Sequence, residues 1–154
     1  MTQDTFYFQE GHIAFPAGFE DRTANVFVPA NTEISPNLSI ARDRSEANET
    51  LKDYVTRQIN LLKSRITGHR VVQRTSVTLG GKEVALEGEQ IDAEYKSSGK
   101  LIRQRQAAFL IAPQRVLIFT ASSPRAFDAA FESLWQGWLA SCQLRKDPAS
   151  NTAT

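Results

Sequence analysis

Apolar residues recur with a helical period over residues 51–66. At about 100° per residue, Leu51, Tyr54, Val55, Ile59, Leu61, Leu62 and Ile66 fall within an arc of about 160°. Gln58 projects near the middle of that arc, where an amphipathic helix ordinarily carries Leu or Ala. An amide buried there without a partner costs about 1–3 kcal/mol, so the pattern predicts both a helix and a side chain in need of a hydrogen bond. Asn48 or Thr50 can cap the start, and Thr50 with Asp53 matches a capping box. Lys63 and Arg65 suit the negative end of the dipole, and Gly68 can take the left-handed conformation that ends a helix.

The rest of the pattern is mostly of period two. Residues 5–9 and 12–15 alternate around Glu10-Gly11 and predict a short hairpin, followed by a Pro- and Gly-containing loop over 15–19. In residues 23–29, Ala24, Val26 and Val28 point one way, and Asn25 and Phe27 the other, so both faces carry apolar surface. Residues 38–42 predict a further strand. Residues 70–79, 83–95, 101–111 and 116–122 form four strands separated by Gly80-Gly81, Ser97-Ser98-Gly99-Lys100 and Ala112-Pro113-Gln114-Arg115, an antiparallel meander. Along the third of these, Gln104 and Gln106 share a face with Ile102, Ala108 and Leu110, repeating the anomaly of Gln58. A final helix is predicted over 124–143, with Ser123 as N-cap, Pro124 at its first position and a stripe of Phe127, Phe131, Leu134, Trp135, Trp138, Leu139 and Cys142. These elements predict an α+β domain over residues 1–144, an antiparallel sheet flanked by two main helices, with a flexible tail over 145–154.

Composition narrows the function. The 154 residues are 41% hydrophobic and 23% charged, ordinary values for a globular chain, and 18 Lys and Arg against 17 Asp and Glu leave a net charge of +1. That balance argues against a nucleic-acid surface, which needs clustered positive charge. No run of about 18 apolar residues is present, so insertion in a membrane is not expected. The N-terminal residues lack the basic and apolar regions of a secretory signal, which together with the lone Cys142 leads to an expected cytoplasmic location. His12 and His69 do not make a metal set, His69, directly after Gly68 at the predicted helix end, reads as a surface or capping histidine rather than a catalytic base, and Gly80-Gly81-Lys82 lacks the spacing of a phosphate-binding loop. Glu87 and Glu89 could be imagined as an acid/base pair, but cross-strand pairing with Arg103 and Arg105 of the next strand is the plainer reading. No metal, no cofactor and no enzymatic activity are expected.

Five segments, residues 15–29 (FPAGFEDRTANVFVP), 40–43 (IARD), 53–58 (DYVTRQ), 105–109 (RQAAF) and 115–120 (RVLIFT), resemble the DcrB-related family, and within it the Eag (effector-associated) chaperones of bacterial type VI secretion. The resemblance covers residues 6 to 142 in the same order. It implies a PsbP-like α/β fold and a homodimer. It also implies that the protein holds the hydrophobic N-terminal transmembrane segments of a cognate effector, usually beside a PAAR domain, in the cytoplasm until the effector is loaded on the secretion spike. Carried over position by position, the client groove would use Ala24, Val26, Val28, Gln58, Leu62, Ile66, Gln104 and Gln106. The same apolar positions could instead form the dimer interface. The alternative function is a dimeric interaction or scaffold module of the same fold that binds a soluble protein.

Overall fold

The structure is a computed structural model that describes residues 4–30, 36–81 and 85–145. Ten elements follow one another: β1 (Thr5–Phe8), β2 (Gly11–Ala14), β3 (Asn25–Phe27), β4 (Asn37–Arg44), α1 (Leu51–Arg65), β5 (Arg70–Leu79), β6 (Leu86–Ser97), β7 (Lys100–Ala112), β8 (Arg115–Ser123) and α2 (Ala129–Ala140). Strands β1 and β2 pair as a separate hairpin. The other six form one antiparallel sheet in the order β3-β4-β8-β7-β6-β5. The fold is therefore α+β, an antiparallel sheet with two helices.

Chain connectivity explains where α1 lies. Strand β4 sits next to one edge and β5 is the opposite edge, so the connection between them must cross β8, β7 and β6. Helix α1 makes that crossing, and the meander β5-β6-β7-β8 then returns strand by strand until β8 pairs with β4. The meander turns have their predicted chemistry. Ser98 and Gly99 both take positive φ (52° and 78°), as a two-residue hairpin requires, and Gln114 turns β7 into β8 at φ 59°. The start predicted for the second meander strand, residue 83, lies outside the described residues.

Helix α1 begins and ends as its sequence signals. Thr50 accepts from the Asp53 N–H at 3.1 Å, and the Ile66 N–H donates to the Leu62 carbonyl at 2.8 Å. Helix α2 does not begin at Pro124. Strand β8 continues through Ser123, whose hydroxyl accepts from the Arg125 N–H at 3.0 Å, and the capping side chain is Asp128, which accepts from the Phe131 N–H at 2.8 Å. Ser123-Pro124 carries a start signal, but a second capping residue five positions on, just before the first aromatic turn, prevails.

Each face of the sheet has its own core. Beneath α2 lie Leu79, Ala107, Phe109, Leu117, Phe119 and Ala121, packed on Phe131, Trp135 and Leu139. Gly88 of β6 makes that packing possible: a Cβ there would collide with the Phe109 ring and the Ala108 carbonyl. Beneath α1 lie Ile91, Ala93, Ala108 and Val116, covered by Tyr54, Val55 and Ile59.

Charge pairing differs from the expected pattern because register decides it. Glu89 of β6 stands opposite Ala108 while Asp92 stands opposite Arg105, so Glu89 and Arg105 occupy opposite faces. Glu89 instead meets Arg74 of β5 at 2.6 Å, and Arg105 is claimed by Asp92 (2.7 Å) and by Glu132 of α2 (2.8 Å). Arg103 donates to the Pro124 carbonyl at 3.1 Å.

Candidate functional site

The first half of α1 is tied down by polar side chains as well as by its core. Arg74 donates to the Lys52 carbonyl (2.8 Å) and the Thr56 hydroxyl (2.9 Å) while also holding Glu89. Arg57 makes two bonds of 2.8 Å to Glu49 just before the helix. Tyr54, almost wholly buried, donates its hydroxyl to Asp43 of β4 at 2.6 Å. Burial and the acceptor carboxylate together raise the pKa of this phenol, so it stays a donor.

Past Tyr54 and Val55 the helix and the sheet part to leave a cavity of about 130 Å³. Its apolar wall is Val55, Leu62, Ile91, Ala108 and Ile118, and its polar groups include Gln58, Gln106, Asp43 and Glu89. Gln58 is thus half-buried at a cavity rather than sunk in the core, and among the described residues neither its amide nor that of Gln106 has a hydrogen-bond partner. The stripe that packs on the sheet is narrower than the predicted arc: Tyr54, Val55 and Ile59 are buried, whereas Leu61 is exposed and Leu62 half-buried.

Register extends the cavity into a row across the sheet. Gln106 pairs with Thr120, Thr120 with Ser39, and Ser39 with Val26 on the edge strand. Directly paired residues share a face, so Val26, Ser39, Thr120 and Gln106 lie on the α1 side. The opposite orientation of Phe27 is fixed by its edge-on contact with Trp138 of α2, at 6.3 Å between centroids. Helix α1 lies over β6 and β7 and leaves this end of the row open, with Val26 65% exposed. Gln104, two residues from Gln106 on the same face, donates weakly to the Ser122 hydroxyl at 3.4 Å.

The structure thus brings Gln58, Leu62 and Gln106 to one cavity and sets Val26 at the far end of the same row, with Gln104 beside it. Ala24 and Val28 flank β3 outside its paired residues, both exposed, and Ile66 caps α1, half-buried and apart from the cavity lining. The sequence pattern does not single out Ser39, Thr120, Tyr54 or Asp43 as parts of the site. Ser39 and Thr120 could not be found from periodicity, because the β4–β8 pairing that places them is set by residues about 80 apart in the chain.

The sequence and the fold have counterparts among known proteins. The DcrB family model matches residues 10–141. The protein named Effector EagT6 from Pseudomonas aeruginosa is 24% identical over 142 residues, covering 91% of this chain and 95% of EagT6. The crystal structure of PA94, a Pseudomonas aeruginosa protein of unknown function, superposes with a TM-score of 0.70 at 20% identity, covering 94% of this chain and 99% of PA94. That likeness shows a shared fold. With the family model spanning nearly the whole sheet and both helices, the chain belongs to the DcrB family.

Proposed function

We propose that this protein is an effector-associated chaperone of type VI secretion, a binding protein rather than an enzyme, that shields N-terminal transmembrane segments of a cognate effector in the cytoplasm before loading on the secretion spike. The observation that carries the reading is the open row from Val26 to Gln106, ending in a cavity whose two amides have no partner among the described residues. The likeness to EagT6 supports an effector-linked role.

The dimensions suit a helix laid on the face with one side chain inserted. A cavity of about 130 Å³ is close to the roughly 150 Å³ that accommodates a benzene ring, so it takes one branched or aromatic side chain and no backbone. The client's remaining surface lies along Thr120, Ser39 and Val26. Transmembrane helices that pack closely use Gly, Ala and Ser, which expose backbone carbonyls and hydroxyls, and the free amides of Gln58 and Gln106 can donate to the first and accept from the second. Burying about 600 Å² of apolar surface at about 25 cal/mol/Å² gains about 15 kcal/mol. Association costs of about 4–15 kcal/mol bring the net to a reversible hold, as delivery requires. The homodimer implied by the family belongs to the same proposal. Tyr7, Phe8 and Ile13 on the β1–β2 hairpin, all exposed, offer apolar surface for it without using the groove.

Val26→Asp and Leu62→Asp each place a carboxylate on the row and are expected to abolish co-purification of the effector's hydrophobic N-terminal segment while circular dichroism stays unchanged. Gln58→Ala is expected to weaken capture by about tenfold or less, since it removes one neutral hydrogen bond of about 0.5–1.5 kcal/mol. Undiminished capture by both aspartate variants would rule the groove out.

A further inference from the structure

A second, larger cleft of about 700 Å³ opens on the other face of the sheet, beyond the C-terminal end of α2. Its floor is the end of β4 and the start of β8, and its rim is the loop after β2, which contributes Phe15 and Phe19. Leu38 and Ile40 pack in the α2-side core, so Arg42 and Arg44, continuing the alternation of β4, present their guanidinium groups on that side. Asp43 between them turns the other way, to Tyr54.

The charges in this cleft are unevenly satisfied. Its carboxylates are engaged: Glu20 pairs with Arg22 at 3.3 Å, Asp21 accepts from the Thr23 N–H and hydroxyl, and Asp43 accepts from the Tyr54 hydroxyl and the Arg44 N–H. Arg115 and Arg145 also line the cleft and have partners of their own. Among the described residues Arg42 is held only by neutral acceptors, the Asn25 side-chain oxygen (2.6 Å) and the Thr23 and Ile40 carbonyls (3.1 and 3.4 Å). The Arg44 guanidinium meets no carboxylate among the described residues. Five arginines against three carboxylates line this concave site, an excess of two positive charges beside Phe19, which is 69% exposed. A guanidinium favours planar carboxylates that it can meet with two parallel bonds, and an exposed phenyl ring favours an apolar neighbour.

We propose that this cleft binds an acidic peptide segment of a protein partner that carries aromatic or leucine side chains among its carboxylates. Charge complementarity selects the acidic residues, and Phe15 and Phe19 take the apolar ones. The cleft opens on the face opposite the client groove, and Asp43, whose carboxylate is turned to Tyr54, lines both. One face would hold the hydrophobic cargo while the other engages a soluble protein.

The test uses the full chain and a short fluorescein-labelled peptide of Asp and Glu interspersed with Leu and Phe, followed by fluorescence anisotropy. The peptide is expected to bind, to bind at least tenfold more weakly with every acid replaced by its amide, and to weaken as salt rises from about 50 to about 300 mM. Arg44→Glu, whose side chain makes no bond within the fold's described residues, is expected to lose at least tenfold in affinity and to keep client capture. Arg42→Gln serves as a second variant because Arg42 also steadies β3. Leu62→Asp is expected to bind the peptide normally, which separates failure of this cleft from failure of the groove. Equal binding of the amide peptide, no loss with Arg44→Glu, or preference for poly-uridine RNA or phosphatidylglycerol vesicles would overturn the proposal. A chain stopped after Arg145 that bound the peptide tenfold more tightly than the full chain would assign the cleft to the protein's own C-terminal residues instead, and overturn it as well.

Discussion

Single side chains in this fold carry unequal electrostatic burdens. Arg105 is 7% exposed yet meets two carboxylates and lies over the rings of Phe127, Phe131 and Trp135, at 5.2–5.8 Å from their centroids. Its guanidinium holds the Glu132 carboxyl below the usual carboxylate range. His69, just after α1, is the contrasting case, because both ring nitrogens are buried and neither has a partner among the described residues. Burial, and then the nearby Lys63 charge, push its pKa below the ordinary value of about 6.5. Between the lowered folded value and about 6.5 the unfolded chain binds more protons than the native one, so stability rises with pH across that window. Acidification below about pH 6.5 is therefore expected to lower the urea midpoint of the native protein, and His69→Leu to flatten that part of the curve. An identical slope in the two proteins between about pH 5 and 7 would show that His69 stays solvated. The sequence suggested a surface or capping histidine from its place beside Gly68. What it could not convey is that both nitrogens of the ring end up buried.

At the scale of elements, local signals were legible wherever they had no competitor. The strand of residues 70–79 is found with its predicted bounds, and α1 differs from its prediction by one residue, because turn glycines and the Thr50–Asp53 box each point to one start or stop. Helix α2 had two possible starts, and Asp128 rather than Ser123 supplies the cap. Asp128→Ala is expected to cost about 1 kcal/mol, within the usual range of about 0.5–2 kcal/mol for a lost N-cap, whereas Ser123→Ala removes one turn hydrogen bond at the end of β8 and is expected to cost less. Urea denaturation of the two variants decides the matter: a larger loss for Ser123→Ala would place the functional helix start at Pro124. The period-two reading also put Ala24, Val26 and Val28 on one face. Within β3 the alternation holds for Val26 and Phe27, with Phe27 pinned to Trp138, while Ala24 and Val28 extend beyond the paired residues. Pairing with β4 is only three residues long, and no propensity along 23–29 announces that limit.

For the whole molecule, the informative quantity is which apolar surface the chain leaves uncovered, and there the sequence was least explicit. Gln58, Gln104 and Gln106 announced an anomaly, but the cavity between Leu62 and Ala108 exists only because α1 is drawn toward β5 and β6 by Arg74 and toward β4 by Tyr54. Those anchors are non-local and leave no periodic trace. The same uncovered surface admits two occupants, a client helix and a second copy of the chain, and they differ in what mass reports. If the row from Val26 to Gln106 is a client groove and the proposed dimer uses the β1–β2 hairpin, a carboxylate on the row leaves self-association untouched. Sedimentation equilibrium is then expected to give Val26→Asp and Leu62→Asp the same mass as the unsubstituted protein, about twice that of one chain, while both fail to capture the client. Burying a carboxylate in a dimer contact without a partner costs several kcal/mol, enough to shift a micromolar dimer to monomer at ordinary concentrations. A fall to the monomer mass in either variant would therefore assign that residue to the dimer interface, and loss of capture in that variant would follow from dissociation instead of from a blocked groove.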